Sequence, residues 1–213
     1  MIYILLTLAL LAGLTMVLNR GSELGGDDVT KDKAELLALQ VTAQAGSAKN
    51  AVDQMMMSGT PVTSLNFVLP SDPTFNTGSN IHKVYHPAGG GLNFKKPEPA
   101  IFDTLTSYST LAGWYMTRTN NIEWTPTAAP DVLFVAWRVH RAICESINKK
   151  ITGTTVIPTI ASPAEIFLGT ANGAASNANL MIADCAACNG YAALCVANAT
   201  SQNFAYYNII SGQ

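Results

Sequence analysis

Charge is what this chain has least of. Lys, Arg, Asp and Glu together make up 12% of its 213 residues, and the formal net charge is -2. Phosphate binding needs clustered Lys and Arg, so the composition offers no electrostatic footprint for nucleic acid. No acidic or basic residue occurs before Arg20. Signatures of catalysis are also missing: the chain has no G-x-S-x-G, no H-E-x-x-H and no G-K-[ST] ending to its glycine-rich stretch His86–Phe94. That leaves no constellation for hydrolysis or phosphate cradling, and the stretch reads instead as a mobile or backbone-close loop. His82 and His86 are near one another in sequence but His140 is not, and the three read as surface histidines. Met55, Met56 and Met57 read as core fillers, because a thioether metal site needs softer companions. The sequence therefore points to no enzyme, no cofactor and no metal.

What the chain has instead is an apolar start. Ile2 to Leu18 contains only apolar or small uncharged residues, and a spanning helix needs about 17 to 25 of them, so this run is at the short limit. No Lys or Arg precedes Ile2 and no A-x-A triplet follows, which argues against a cleavable signal peptide. A membrane anchor and a polymer-forming helix are the remaining readings. Arg20 alone does not fix an orientation. Because the run starts at the tip of the chain, that tip reads as a processed end. Ala9, Ala12 and Gly13 are small enough to let helices approach closely.

Residues 19–30 follow as a connector. Gly21, Gly25 and Gly26 each cost about 1 kcal/mol in a helix relative to Ala, so an unwound or extended segment is expected. An extended chain rises about 3.3 Å per residue against about 1.5 Å in a helix, which lengthens the reach of this neck.

From Asp32 to Met57 the pattern is helical. Leu37, Val41, Ala45, Ala48, Val52 and Met55 recur at steps of three and four and form one apolar stripe. Lys33, Gln40, Gln44 and Lys49 fall on the opposite face. Asp32 and Glu35 resemble a capping box, and Gly59 and Pro61 close the far end. Beyond Pro61, the stretches 64–70, 81–87, 90–94, 113–120, 121–127 and 132–139 read as strands or fragments. Asn120–Asn121 reads as a tight hairpin turn. A short helix ending at Lys149, Lys150 and Gly153 comes next. The last third is loop-rich until Phe204–Ile210, which reads as a closing strand.

Only four cysteines are present, Cys144, Cys185, Cys188 and Cys195. The even count beside an export-like start implies two disulfides in an oxidising compartment. The C-x-x-C at Cys185–Cys188 lacks both a zinc-ligand partner set and a thioredoxin-like setting. Four cysteines permit three pairings. The favoured one joins Cys188 to Cys195 around Asn189–Gly190, and Cys144 to Cys185. The wealth of Ala, Thr, Asn, Gly and Ser fits an extracellular protein or a subunit that packs against copies of itself, where a buried unpaired charge is costly.

This layout resembles a mature type IV pilin or pseudopilin. An apolar helix at the start, a break, an amphipathic helix, and a β-rich head with late cysteines are its shared features. A strand followed by a Cys-bearing helix is similar to type IVb heads. The resemblance implies an α+β fold: a long N-terminal hydrophobic and amphipathic helix, broken by the Gly-rich segment, packed on an antiparallel sheet. It divides the chain into a filament-core helix at 1–18, a connector at 19–30 and a globular head at 31–213.

The implied function is structural. The chain would be a subunit of an extracellular filament on a bacterial surface, polymerising through Ile2, Leu5, Leu6, Ala9, Leu10, Ala12, Gly13 and Val17. Its implied partners are other copies of itself, the inner membrane before assembly (with the head in the periplasm), and a pilus assembly machinery. One departure from the family is Leu5, where pilins usually carry a Glu that pairs with a neighbour's terminal amine. That departure favours a minor pilin or pseudopilin as the alternative. A membrane-anchored periplasmic binding or redox protein is the alternative from a different class.

Overall fold

The computed structural model describes residues 30–103, 112–171, 175–200 and 202–213. The expected apolar helix and connector, with Ile2, Leu5, Leu6, Ala9, Leu10, Ala12, Gly13, Val17, Gly21, Gly25 and Gly26, lie outside the described residues. Residues Lys31–Gln213 form one compact unit.

The first described element is helix α1, Lys31–Met57. All six stripe positions named from the sequence are buried, and Ala34, Ala38 and Ala51 widen the stripe on either side. The helix starts at Lys31, so Asp32 is inside the first turn and is not its cap. There its carboxylate faces the positive end of the helix dipole. At the other end Gly59 takes a left-handed φ of 92°. Its N–H donates to Met56 O at 2.9 Å and the Thr60 N–H to Met55 O at 3.0 Å. This pair of bonds is a Schellman closure, which needs a residue without a Cβ at its pivot.

Five strands form a mixed sheet: β1 Gly113–Asn120, β2 Asp131–Trp137, β3 Thr159–Ile160, β4 Ala193–Asn198 and β5 Phe204–Ser211, in the order β1-β2-β5-β4-β3. Helices α2, Arg141–Thr152, and α3, Pro163–Leu168, complete the head. The fold is α+β as expected. The sheet departs from purely antiparallel because β3 runs parallel to β4 over two residues.

Every residue of β2 is buried, which explains why its sequence is a continuous apolar run and not an alternation. Leu133, Val135 and Trp137 point to one face, where they meet Leu194, Val196, Ala205 and Tyr207 and are covered by Ile166, Phe167 and Leu168 of α3. The other face is covered by α1, which packs on β5 and β2, and by α2, which packs on β4 and β5.

Several expected strands are absent. Stretch 81–87 forms turns and stretches 64–70 and 90–94 are largely irregular, with one bridge, Asn66 to Lys83. The hairpin at Asn120–Asn121 does not form, since residues 121–130 make a wide loop before β2. The Asp131 carboxylate gathers that loop: it accepts from Ile122 N at 2.7 Å and Thr125 Oγ1 at 3.0 Å. It also accepts from Gln213 N at 2.9 Å. Asn121 Nδ2 donates to the Thr127 and Ala129 carbonyls, both at 2.9 Å. A two-residue turn would leave these groups unpaired.

The end of α2 is as expected, with Gly153 at φ 80° and its N–H on Lys149 O. The last third is more ordered than its composition suggests, since it holds β4 as well as β5. Phe204–Ser211 is central in the sheet, between β2 and β4, and is not a closing edge.

Candidate functional site: the outward face of the first helix

Two disulfides staple the unit to which α1 belongs, and their pairing corrects the expected one. Cys144 pairs with Cys195, and Cys185 with Cys188; Cα atoms are 5.3 Å apart in each pair. The reason is tertiary. Cys144 is on α2, and α2 packs on β4, which carries Cys195. Asn148, one turn further along α2, clamps the same spot: its Oδ1 accepts from Cys195 N at 2.8 Å and its Nδ2 donates to Cys195 O at 2.9 Å. Cys185 and Cys188 bracket a single 3₁₀ turn in which Cys188 N–H donates to Cys185 O at 3.0 Å. All four cysteines are buried.

The outward face of α1 borders a groove of about 770 Å³. Gln40, Gln44, Ser47, Asn50 and Gln54 form one side, spaced along the helix so that they share a stripe. Gly90–Asn93 and Lys95–Glu98 form the other, with Ile101 and Trp114 between. Trp114 Nε1–H donates to Lys95 O at 3.2 Å. Its rings pack against Phe102, with centroids 5.4 Å apart, and against Phe134, at 5.6 Å.

The far wall is tied back by main-chain bonds, Leu92 N–H to Val84 O at 3.0 Å and Gly90 N–H to Lys83 O at 3.1 Å, and Lys83 is itself anchored. Only 4% of this residue is exposed, and its ammonium donates to the carbonyls of Thr74 (2.9 Å), Phe75 (2.8 Å) and Thr77 (2.5 Å) and to Asn80 Oδ1 (2.8 Å). Charge-assisted bonds of this kind are the strong ones, and they draw the chain around the cation. The wall then presses on α1: a Cβ at Gly90 would lie 2.6 Å from Val84 O and 2.8 Å from Met55 Sδ. Such contacts leave room only for glycine, so the loop is backbone-close. Below it, burial pushes the Tyr85 phenol up to about 12, and its ring meets Phe94 edge-on at 5.5 Å.

Family models, curated proteins and solved structures yield no match to this chain.

Nearer its N-terminus, α1 exposes Leu36 (59%) and Leu39 (53%), one turn apart on the outward face. The three histidines are not gathered, and among the described residues no group of three His, Cys, Asp or Glu side chains is placed to hold a metal. Among the described residues no helix is long and apolar enough to cross a membrane.

The sequence reading placed Gln40 and Gln44 on the outward face but did not find the groove. One signal was available: the stripe from Gln40 to Gln54 is made of carboxamides, a hydroxyl and alanine where a plain solvated helix face would carry Lys and Glu. The opposite wall had none, because its shape depends on main-chain bonds back to Lys83 and Val84 and on the approach of Gly90 to Met55.

Proposed function

We propose that the chain is a structural subunit of an extracellular filament resembling a type IV pilus, assembled through its apolar N-terminal run. The observation that carries this reading is the exposed pair Leu36 and Leu39 on the outward face of α1, a few residues after the run and its connector in the chain. Covering a Leu side chain stabilises by roughly 1.5 to 3 kcal/mol, so neighbouring copies gain by sheathing both the run and this face. The uncharged surface composition supports close packing of copies. Leu5, in place of the family's Glu, favours a low-abundance or initiating subunit. The burial of both disulfides weighs toward a stapling role and away from thiol exchange, since exchange needs an accessible sulfur.

The test uses the full chain expressed in a bacterium with a pilus assembly system. Sheared surface material is examined by negative-stain microscopy for fibres that contain the chain. A variant with Leu36→Asp and Leu39→Asp is expected to abolish incorporation and leave the head's unfolding transition unchanged. Chains found only as solitary molecules in the membrane would overturn the proposal.

A further inference from the structure

We propose that the groove between α1 and residues 90–98 is a carbohydrate-binding site, taking an oligosaccharide that carries a carboxylate. Its first support is the row of carboxamides on α1. Gln40, Asn50 and Gln54 are exposed, Gln44 is half-buried, and the side chains of all four are without a hydrogen-bond partner among the described residues. A carboxamide both donates and accepts, as a sugar hydroxyl does, so the two pair without a net charge on either.

The second support is Trp114. Its N–H is committed to Lys95 O and its ring is held by Phe102 and Phe134. The indole is therefore oriented in advance, and a pre-organised aromatic plane is the usual complement of the C–H face of a pyranose ring. The third is charge. Lys95 and Lys96 line the groove, with Glu98 as the one acid lining it among the described residues. That excess suits a uronate carboxylate.

The volume lies in the range of small-ligand sites, and the wall is firm because Gly90 is pressed on Met55 and Val84. An apolar helix fits poorly here, since it would cover the carboxamides and offer them nothing. The inference does not rest on the filament reading, because a solitary molecule presents the same groove.

The experiment is isothermal titration of the full chain, held in a detergent without a sugar headgroup. The two probes are a uronate-containing oligosaccharide and a neutral N-acetylhexosamine oligosaccharide of equal length. The acidic probe is expected to bind about tenfold tighter than the neutral one. Gln44→Ala combined with Gln54→Ala should weaken both by about tenfold or more with the unfolding transition unchanged. Lys95→Ala with Lys96→Ala should remove the preference between the probes.

Absence of binding by either probe overturns the site, and so does binding that ignores the Gln substitutions. Equal affinity for both probes overturns the acidic assignment. If the Gln substitutions alter self-association and no sugar binds, the groove belongs to a second copy and the proposal fails.

Discussion

Lys83 and Arg138 are both cations with almost no exposed surface, and their surroundings are opposite. Lys83 has four oxygen acceptors, whereas the Arg138 guanidinium, on a residue at φ 63°, has no hydrogen-bond partner among the described residues. A buried charge that is well paired is costly to break, and one without acceptors is costly to keep. Lys83→Met is therefore expected to destabilise the head by about 2 to 4 kcal/mol, because it strands several carbonyls. Arg138→Met should be neutral or stabilising by up to about 2 kcal/mol. Urea unfolding of the two variants beside the parent measures both. A loss of stability in Arg138→Met equal to that in Lys83→Met would refute the contrast.

Between elements, the two disulfides do unequal work. Cys144–Cys195 joins α2 to β4 across 51 residues, whereas Cys185–Cys188 spans three. Loop-closure entropy grows with the logarithm of loop length, so removing the long bridge costs about 4 kcal/mol and removing the short one about 2 kcal/mol. Thermal unfolding of Cys144→Ser with Cys195→Ser, against Cys185→Ser with Cys188→Ser, tests this. The long-bridge variant should have the lower midpoint. A reversed order would mean that the turn at Cys185–Cys188 organises more of the core than its length implies. The element scale also explains the strand errors. Stretches 64–70 and 81–87 carry β-forming residues but meet at one bridge, with Asn66 N–H on His82 O and Val84 N–H on Asn66 O at 2.9 Å each, because the chain from Asn80 to His86 turns back on itself through Lys83 N–H to Asn80 O and His86 N–H to Lys83 O.

Across the whole molecule, tyrosines whose phenols are taken out of water set the response to alkali. Burial raises the phenols of Tyr85, Tyr206 and Tyr207, and raises Tyr115 as well. Each is an acid whose charged form the folded state disfavours. The stability tied to their neutral forms is full below the ordinary tyrosine value of 10.0 and is lost as pH rises through the higher folded values, to about 12 for Tyr85. The head is expected to lose stability steeply above pH 10, with phenolate absorbance appearing together with unfolding. Phenolate formation by these tyrosines at pH 10, with circular dichroism unchanged, would show that they are not buried as described. The same burial on both faces of the sheet limits where function can be placed. The outward side of α1 offers the exposed leucines and the groove, one apolar and one polar.

The sequence by itself determined the extent of α1 to within one residue, its buried stripe and its glycine stop, the strand at 113–120, most of the strand read at 132–139, the helix ending at Gly153 and the strand from Phe204. These follow from local periodicity and from turn chemistry that acts within a few residues. Tertiary structure alone decided the rest. Cysteine pairing depended on which helix covers β4, which no spacing encodes. The central place of β5, the parallel edge β3 and the wide loop gathered by Asp131 depended on contacts between distant residues. The groove needed both, because its carboxamide side is a helical repeat legible at Gln40 and Gln44. Its other side is built by main-chain bonds to Lys83 and Val84 that hold a glycine-rich loop back against Met55.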